Sequence, residues 1–96
     1  HVRSRRQRQM CIRDRYIKTK KRLRQAQGKE EIEAAVRDYG ECFNRLNRRY
    51  EEFIETVERE DVFRALEQLY REELEGKSSV DLEGFLGILD DVRDDW

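Results

Sequence analysis

Side chains that could do chemistry are few and poorly grouped in this sequence of 96 residues. One histidine, His1, and two cysteines, Cys11 and Cys42, are all of its imidazole and thiol groups. A reactive thiol needs a neighbouring base or cation, and residues 16–96 contain no histidine. We therefore interpret Cys42 as a buried structural thiol. Two cysteines at this spacing predict neither a disulfide framework nor a metal site.

Carboxylates form two groups along the chain, and both could in principle bind a metal. The groups are Glu51, Glu52, Glu55 and Glu58, and then Asp90, Asp91, Asp94 and Asp95. Helical di-metal proteins combine inward-facing carboxylates with Glu-x-x-His pairs, and no such pair is present. An EF-hand reading fails as well, because the loop position for the bidentate glutamate is Gly84. We expect solvated acidic surfaces on outer faces, no catalytic residue, and no metal, cofactor or small-molecule ligand.

Phosphate binding is the remaining chemistry, because the charge is strongly divided along the chain. Residues 1–24 carry eleven Lys or Arg and one acid, about +10, whereas residues 25–96 carry ten against 21 acids, about −11. A basic arm on an acidic body is typical of nucleic-acid-binding proteins. The strength of this indication depends on whether the arm belongs to the protein.

The most basic stretch, RRQRQMCIRDR at residues 5–15, resembles a translated DNA adapter. One choice of codons for it reproduces the adapter of transposase-based sequencing libraries, ending in the transposon mosaic end AGATGTGTATAAGAGACAG. His1 and residues 2–4 fit the bases that precede the adapter in such libraries. The resemblance implies that residues 1–15 are an artefact, helical only by extension of the helix that follows. We then expect the natural chain to be longer and to have other residues before Tyr16, and His1 and Cys11 lose any functional role.

A shorter basic run, YIKTKKRLR at residues 16–24, survives this interpretation. Tyr16, Thr19, Leu23 and Ala26 have helical spacing, which predicts a helix with a weak apolar seam that ends near Gly28. The candidates for nucleic-acid contact on this helix are Lys18, Lys20, Lys21, Arg22 and Arg24. The more ordinary alternatives are a solvated helix face, or ion pairs with the acidic C-terminal helix.

The composition predicts helices as the elements that position these residues. Charged residues make up 45% of the chain, there is no proline, and there are five glycines. The clearest element is a helix over about residues 29–60, whose apolar residues alternate in steps of four and three as in a heptad repeat. This seam consists of Ile32, Val36, Tyr39, Phe43, Leu46, Tyr50, Phe53 and Val57. Small or uncharged flanking residues and four aromatic rings favour a broad buried face in a bundle over a two-stranded coiled coil.

The seam fails after Val57, so we expect a break near Glu60 and Asp61, with Asp61 as a possible N-cap. A third helix then ends at Gly76, and Ser78 is the expected cap of the last helix. Apolar residues of that helix follow the steps of three and four as far as Trp96. Trp96 is expected either in the core or exposed as an anchor for a partner.

Together these patterns predict an all-α protein, a three- or four-helix bundle organised on the long helix, with residues 16–96 as a single domain. The function that fits best is a non-enzymatic interaction or assembly module that self-associates or binds another helical protein. The alternative is a nucleic-acid-associated protein that uses residues 16–24, and a remote alternative is a fragment of an enzyme whose catalytic part is missing. No apolar run is long enough for a membrane span, and the cysteine usage favours the cytoplasm.

Overall fold

The computed structural model describes residues 5–50 and 53–96, with side chains from Arg6 onward. Within these residues all regular structure is α-helical and consists of α1 (Arg5–Gln25), α2 (Lys29–Arg49), α3 (Thr56–Glu73) and α4 (Leu82–Val92). The helices pack as a bundle, which confirms the predicted all-α architecture. None of the described helices is both long and apolar enough to cross a bilayer.

The four helices form a ring in which each contacts two neighbours. α1 and α4 both pack against α2 and α3, so α1 lies diagonally opposite α4, and α2 lies diagonally opposite α3. Arg8 lies 3.2 Å from Glu58 near the start of α3, and Arg24 lies 3.0 Å from Glu73 at its end, so α1 and α3 are parallel. Two short connections make α2 and α4 antiparallel to the helices before them.

The core is built on aromatic rings from the predicted seam and from the last helix. Tyr39 and Phe43 are fully buried and meet edge to face, with their ring centroids 5.1 Å apart. The rings of Tyr70 and Phe85 meet at a tilt of 52° with their centroids 5.3 Å apart, which joins α3 to α4. The Tyr39 hydroxyl donates a hydrogen bond of 2.6 Å to the Val62 carbonyl, which ties α2 to α3 across the diagonal. This bond satisfies a hydroxyl that burial would otherwise leave without water.

The predicted long helix is wrong in its second half, because α2 ends at Arg49 and not near residue 60. Tyr50 has an extended backbone, and Glu55 begins α3 through a reciprocal capping box with Glu58. Asn47 Oδ1 also accepts a hydrogen bond of 2.9 Å from the Ile54 N–H, which holds the connection in place. The break therefore lies about ten residues before the predicted one, and Asp61 is an internal helix residue and not an N-cap.

This break divides the predicted seam. Its buried members are Ile32, Val36, Tyr39, Phe43 and Phe53, whereas Leu46 and Tyr50 are half-buried. Val57 is 41% exposed in the first turn of α3, so it is not part of the core. The new helix starts on its own phase, and the heptad register does not continue into it.

Glycine positions explain how closely α4 approaches α2. A Cβ at Gly40 would lie 3.0 Å from Val92 Cγ1 and 3.1 Å from Leu89 Cδ1, so the helices meet where a side chain is absent. On α4, Gly84 and Gly87 are exposed. The cap of α4 is Asp81, which accepts the Gly84 N–H at 2.7 Å, and not Ser78 as expected.

Candidate interaction surface

The basic helix predicted at residues 16–24 is the second half of α1, and its side chains face α3 on one side. The Tyr16 hydroxyl donates a hydrogen bond to Glu72, and Lys20 Nζ lies 2.8 Å from the same carboxylate. One turn later, the Arg24 guanidinium donates two bonds to Glu73, at 3.2 Å and 3.0 Å. These contacts form a continuous row of charge-assisted hydrogen bonds between α1 and α3.

This row changes the proton affinities of its members. Hydrogen bonds from Lys20 and Tyr16 lower the pKa of Glu72 to about 2. The partial burial of Tyr16, followed by its bond to Glu72, raises the pKa of its hydroxyl to about 12. The guanidinium of Arg24 holds the pKa of the Glu73 carboxyl below its ordinary value. The row therefore keeps its charges, with Glu72 ionised and Tyr16 protonated, over the whole physiological pH range.

The remaining cations of the predicted nucleic-acid contact are also mostly paired. Lys18 lies 3.2 Å from Asp14 in the preceding turn, and Arg22 pairs with Asp38 of α2. Lys21 is exposed and has no ion-pair partner among the described residues. Four of the five candidate cations thus have an acid beside them. The alternative of ion pairs with the acidic C-terminal helix is wrong for these four cations, because their partners among the described residues come from α1, α2 and α3.

The outer face of α1 has a different character from its sides. Met10 is 62% exposed and Ile17 is 47% exposed. They are seven positions apart, about two helical turns, so they lie on one stripe of the helix surface. Arg13 and Lys21 flank Ile17 by four residues on each side and have no ion-pair partner among the described residues. The outer stripe therefore combines exposed apolar side chains with cations that have no ion-pair partner among the described residues.

The outer face of α4, on the side of the molecule opposite to α1, is acidic and has no side chain at its centre. Glu83, Asp90 and Asp91 are exposed there, and only Asp90 pairs with a cation among the described residues, Arg93 at 2.9 Å. Gly87 lies midway between Glu83 and Asp91, and a Cβ at this position would meet no atom within 4 Å. The face therefore carries negative charge around an open position.

The C-terminal end of the chain is held by a buried amide that the sequence reasoning missed. Asn44 is 1% exposed, and its Nδ2 donates to the Val92 carbonyl at 3.0 Å and to Glu41. Its Oδ1 accepts the Asp94 N–H at 2.9 Å and the Trp96 indole N–H at 2.7 Å. Trp96 is only 6% exposed, so it does not serve as an exposed partner anchor in this structure. Gly40, one turn before Asn44 and close to Val92 and Leu89, is the sequence feature from which a close neighbour on this side of α2 could have been predicted.

The other candidate groups occupy ordinary structural positions. Cys42 is half-buried and not fully buried as predicted, and like Cys11 it is a free thiol. In the part of the chain that the structure describes, no three His, Cys, Asp or Glu side chains are close enough to hold a metal ion. His1 lies outside the described residues.

One member of the first acidic group contradicts the prediction of an outer face. Glu58 is 2% exposed, its carboxylate accepts the Glu55 N–H at 3.2 Å, and Arg8 lies 3.2 Å from it. Burial is tolerated because the carboxylate closes the capping box of α3 and faces a cation. Glu51 and Glu52, from the same group, lie outside the described residues.

Comparison of the chain with protein-family models, with curated proteins and with solved structures finds no match.

Proposed function

We propose that this chain is a non-enzymatic helical interaction module that associates with itself or with another helical protein. The observation that carries the proposal is the outer face of α1 within residues 16–96, where Ile17 remains 47% exposed and Lys21 has no ion-pair partner among the described residues. Apolar side chains that stay exposed within a polar rim are one mark of a surface that a partner covers. The two free cysteines are compatible with a location in the reducing cytoplasm.

Rigidity of the underlying helix supports this use. The row from Tyr16 to Arg24 fixes one side of α1 to α3, and Arg22 pairs with Asp38 on the other side. Burial of Leu23, at 2% exposure, anchors the same segment in the core. A partner would therefore meet a preorganised helix face and would not have to order it on binding.

The nucleic-acid alternative has less support from the same geometry. A phosphate-binding helix needs cations that are free to replace counterions. Lys20 and Arg24 already bind Glu72 and Glu73, and Arg22 already pairs with Asp38. Lys21 alone among the five candidates is left without an acid in the described residues, which is a weak footprint for a polyanion.

Sedimentation velocity of the full chain over a concentration series tests the proposal. We expect the weight-average sedimentation coefficient to rise with concentration across the micromolar range. A chain that stays monomeric at every concentration, and forms no complex with any helical partner that is added, would contradict the proposed interaction function. A fluorescent oligonucleotide titrated over a salt series, with and without Lys21→Gln, tests the alternative.

A further inference from the structure

We propose that the partner surface of the α1 stripe is the outer face of α4 on a second copy of this chain. This inference rests on the proposed interaction function and adds to it the identity of the partner. The α1 stripe of this proposal consists of Arg13, Ile17 and Lys21, and the α4 stripe of Glu83, Gly87 and Asp91. Arg13 lies in the segment that resembles a translated adapter, so the contact is proposed for the chain with the printed sequence.

The two stripes match in spacing. Each has its charged residues eight positions apart and its central residue midway, so the charges on each helix are separated by about 12 Å along the axis. When the two helices lie side by side, parallel or antiparallel, both cations of α1 meet an acid of α4. None of these four charged residues has an ion-pair partner among the described residues, so all four are available.

The two stripes also match in shape. Ile17 stands out from the centre of the α1 stripe with 47% of its surface exposed. Gly87 occupies the centre of the α4 stripe, and no atom lies within 4 Å of the place a Cβ would take. An exposed glycine in the middle of an 11-residue helix costs about 1 kcal/mol relative to alanine, and no contact within the chain requires it. A neighbouring copy that inserts Ile17 over Gly87 gives this glycine a use.

The arrangement of the bundle determines what the contact builds. α1 and α4 are diagonally opposite and do not contact each other, so the two stripes face away from one another. The contact is then head to tail, each copy using its α1 stripe on one side and its α4 stripe on the other. Such an association does not close on itself in a pair of molecules, and it produces a series of oligomers that salt weakens.

A charge-swap experiment with the full chain tests this contact. Variant one carries Arg13→Glu and Lys21→Glu, and variant two carries Glu83→Lys and Asp91→Lys. Each variant alone presents like charges on both stripes, so we expect its self-association to weaken by about tenfold or more. Mixing the two restores opposite charges at every contact, and we expect oligomers of alternating composition to return. A control with Arg45→Glu and Glu60→Lys, both on exposed positions outside the stripes, should associate like the wild type.

A shape test complements the charge test. Gly87→Leu adds bulk where the monomer has open space, so the fold should persist while association is lost. Ala34→Leu adds the same bulk at an exposed position of α2 and should leave association unchanged. If the chain associates but the swapped pair fails to recover it, or Gly87→Leu associates normally, the α1–α4 contact is wrong and the interaction function survives. A wild-type chain that remains monomeric overturns the contact, and with no other helical partner it overturns the interaction function as well.

Discussion

Asn44 Oδ1 accepts a hydrogen bond from the Trp96 indole nitrogen at 2.7 Å, and both residues are buried. Fifty-two positions separate them in the chain, so this bond fixes the C-terminal residue to the middle of the bundle. The same amide also donates to the carbonyl of Val92, the last residue of α4, and accepts the N–H of Asp94, two residues beyond it. Asn44 thus acts as the C-terminal cap of a helix from a different part of the sequence.

Replacing Asn44 by alanine should therefore release the C-terminal tail. We expect the free energy of unfolding to fall by about 2–4 kcal/mol, since each buried polar group without a partner costs about 1–3 kcal/mol. Trp96 is the only tryptophan, so its emission should shift to the red in the folded variant. Arg45→Ala, one residue along and exposed, is the matched control. An unshifted emission spectrum in Asn44→Ala would show that the amide does not hold the tail.

Alanine substitutions at Gly40 of α2, which faces α4, and at Gly87, on the outer face of α4, should have opposite effects. Gly40→Ala places a methyl group about 3 Å from Val92 and Leu89. We expect the packing cost of about 1–3 kcal/mol to outweigh the helix-propensity gain of about 1 kcal/mol, which gives a net loss in urea unfolding. Gly87→Ala adds a methyl group in open space within a helix, and we expect a gain of about 0.5–1 kcal/mol in dilute protein. Equal effects of the two changes would contradict the observed packing of α2 on α4.

Acid stability should depend on Glu72. The pKa of this carboxyl falls to about 2 in the folded chain, below its value in the unfolded chain. Its contribution to stability is therefore complete above the unfolded pKa and is lost as the pH falls toward 2. Glu72→Gln should make the free energy of unfolding less dependent on pH in this window, whereas Glu30→Gln, an exposed control, should leave the slope unchanged. Identical pH profiles for wild type and Glu72→Gln would count against the α1–α3 row.

The first half of α1 should tolerate an apolar replacement at an inward position. Arg15 is half-buried, and its Nε has no hydrogen-bond partner among the described residues. Arg15→Leu should raise the free energy of unfolding by about 1–3 kcal/mol, because a buried unpaired donor is removed. Arg13→Leu, at an exposed position, should change it little. A destabilised Arg15→Leu would show that this guanidinium has a role in the fold.

Arg15 belongs to residues 1–15, which resemble a translated adapter. A segment that was never selected for packing could place an arginine at an inward position in this way. That interpretation stays a prediction. Sequencing the gene from a library prepared without this adapter tests it directly. We expect the reading frame before Tyr16 to encode other residues, and a continuous RRQRQMCIRDR would show that the interpretation is wrong.

Periodicity predicted the helical class and the buried residues of α2 as far as Phe43, because one apolar face dominates that stretch. It failed at Val57, since the spacing of apolar residues continues through a connection in which the backbone leaves the helix at Tyr50. The capping box that starts α3 uses Glu55 and Glu58. From the sequence alone these two glutamates were predicted to be solvated acids on an outer face. Asn44 was missed for a related reason, because its burial comes from α4 and not from its own helix.

The role of the α1 stripe can be measured directly from the methyl resonances of the isoleucines in the full chain. Ile17 is exposed on the stripe, whereas Ile12 and Ile32 are 5% exposed and report on the core. As the protein concentration rises, we expect the Ile17 methyl signal to shift or broaden while the signals of Ile12 and Ile32 stay unchanged. Adding about 1 M NaCl, where the Debye length is about 3 Å, should reverse this change because salt screens the charge contacts. An Ile17 signal that stays constant while the chain associates would contradict the assignment of this stripe as the interaction surface.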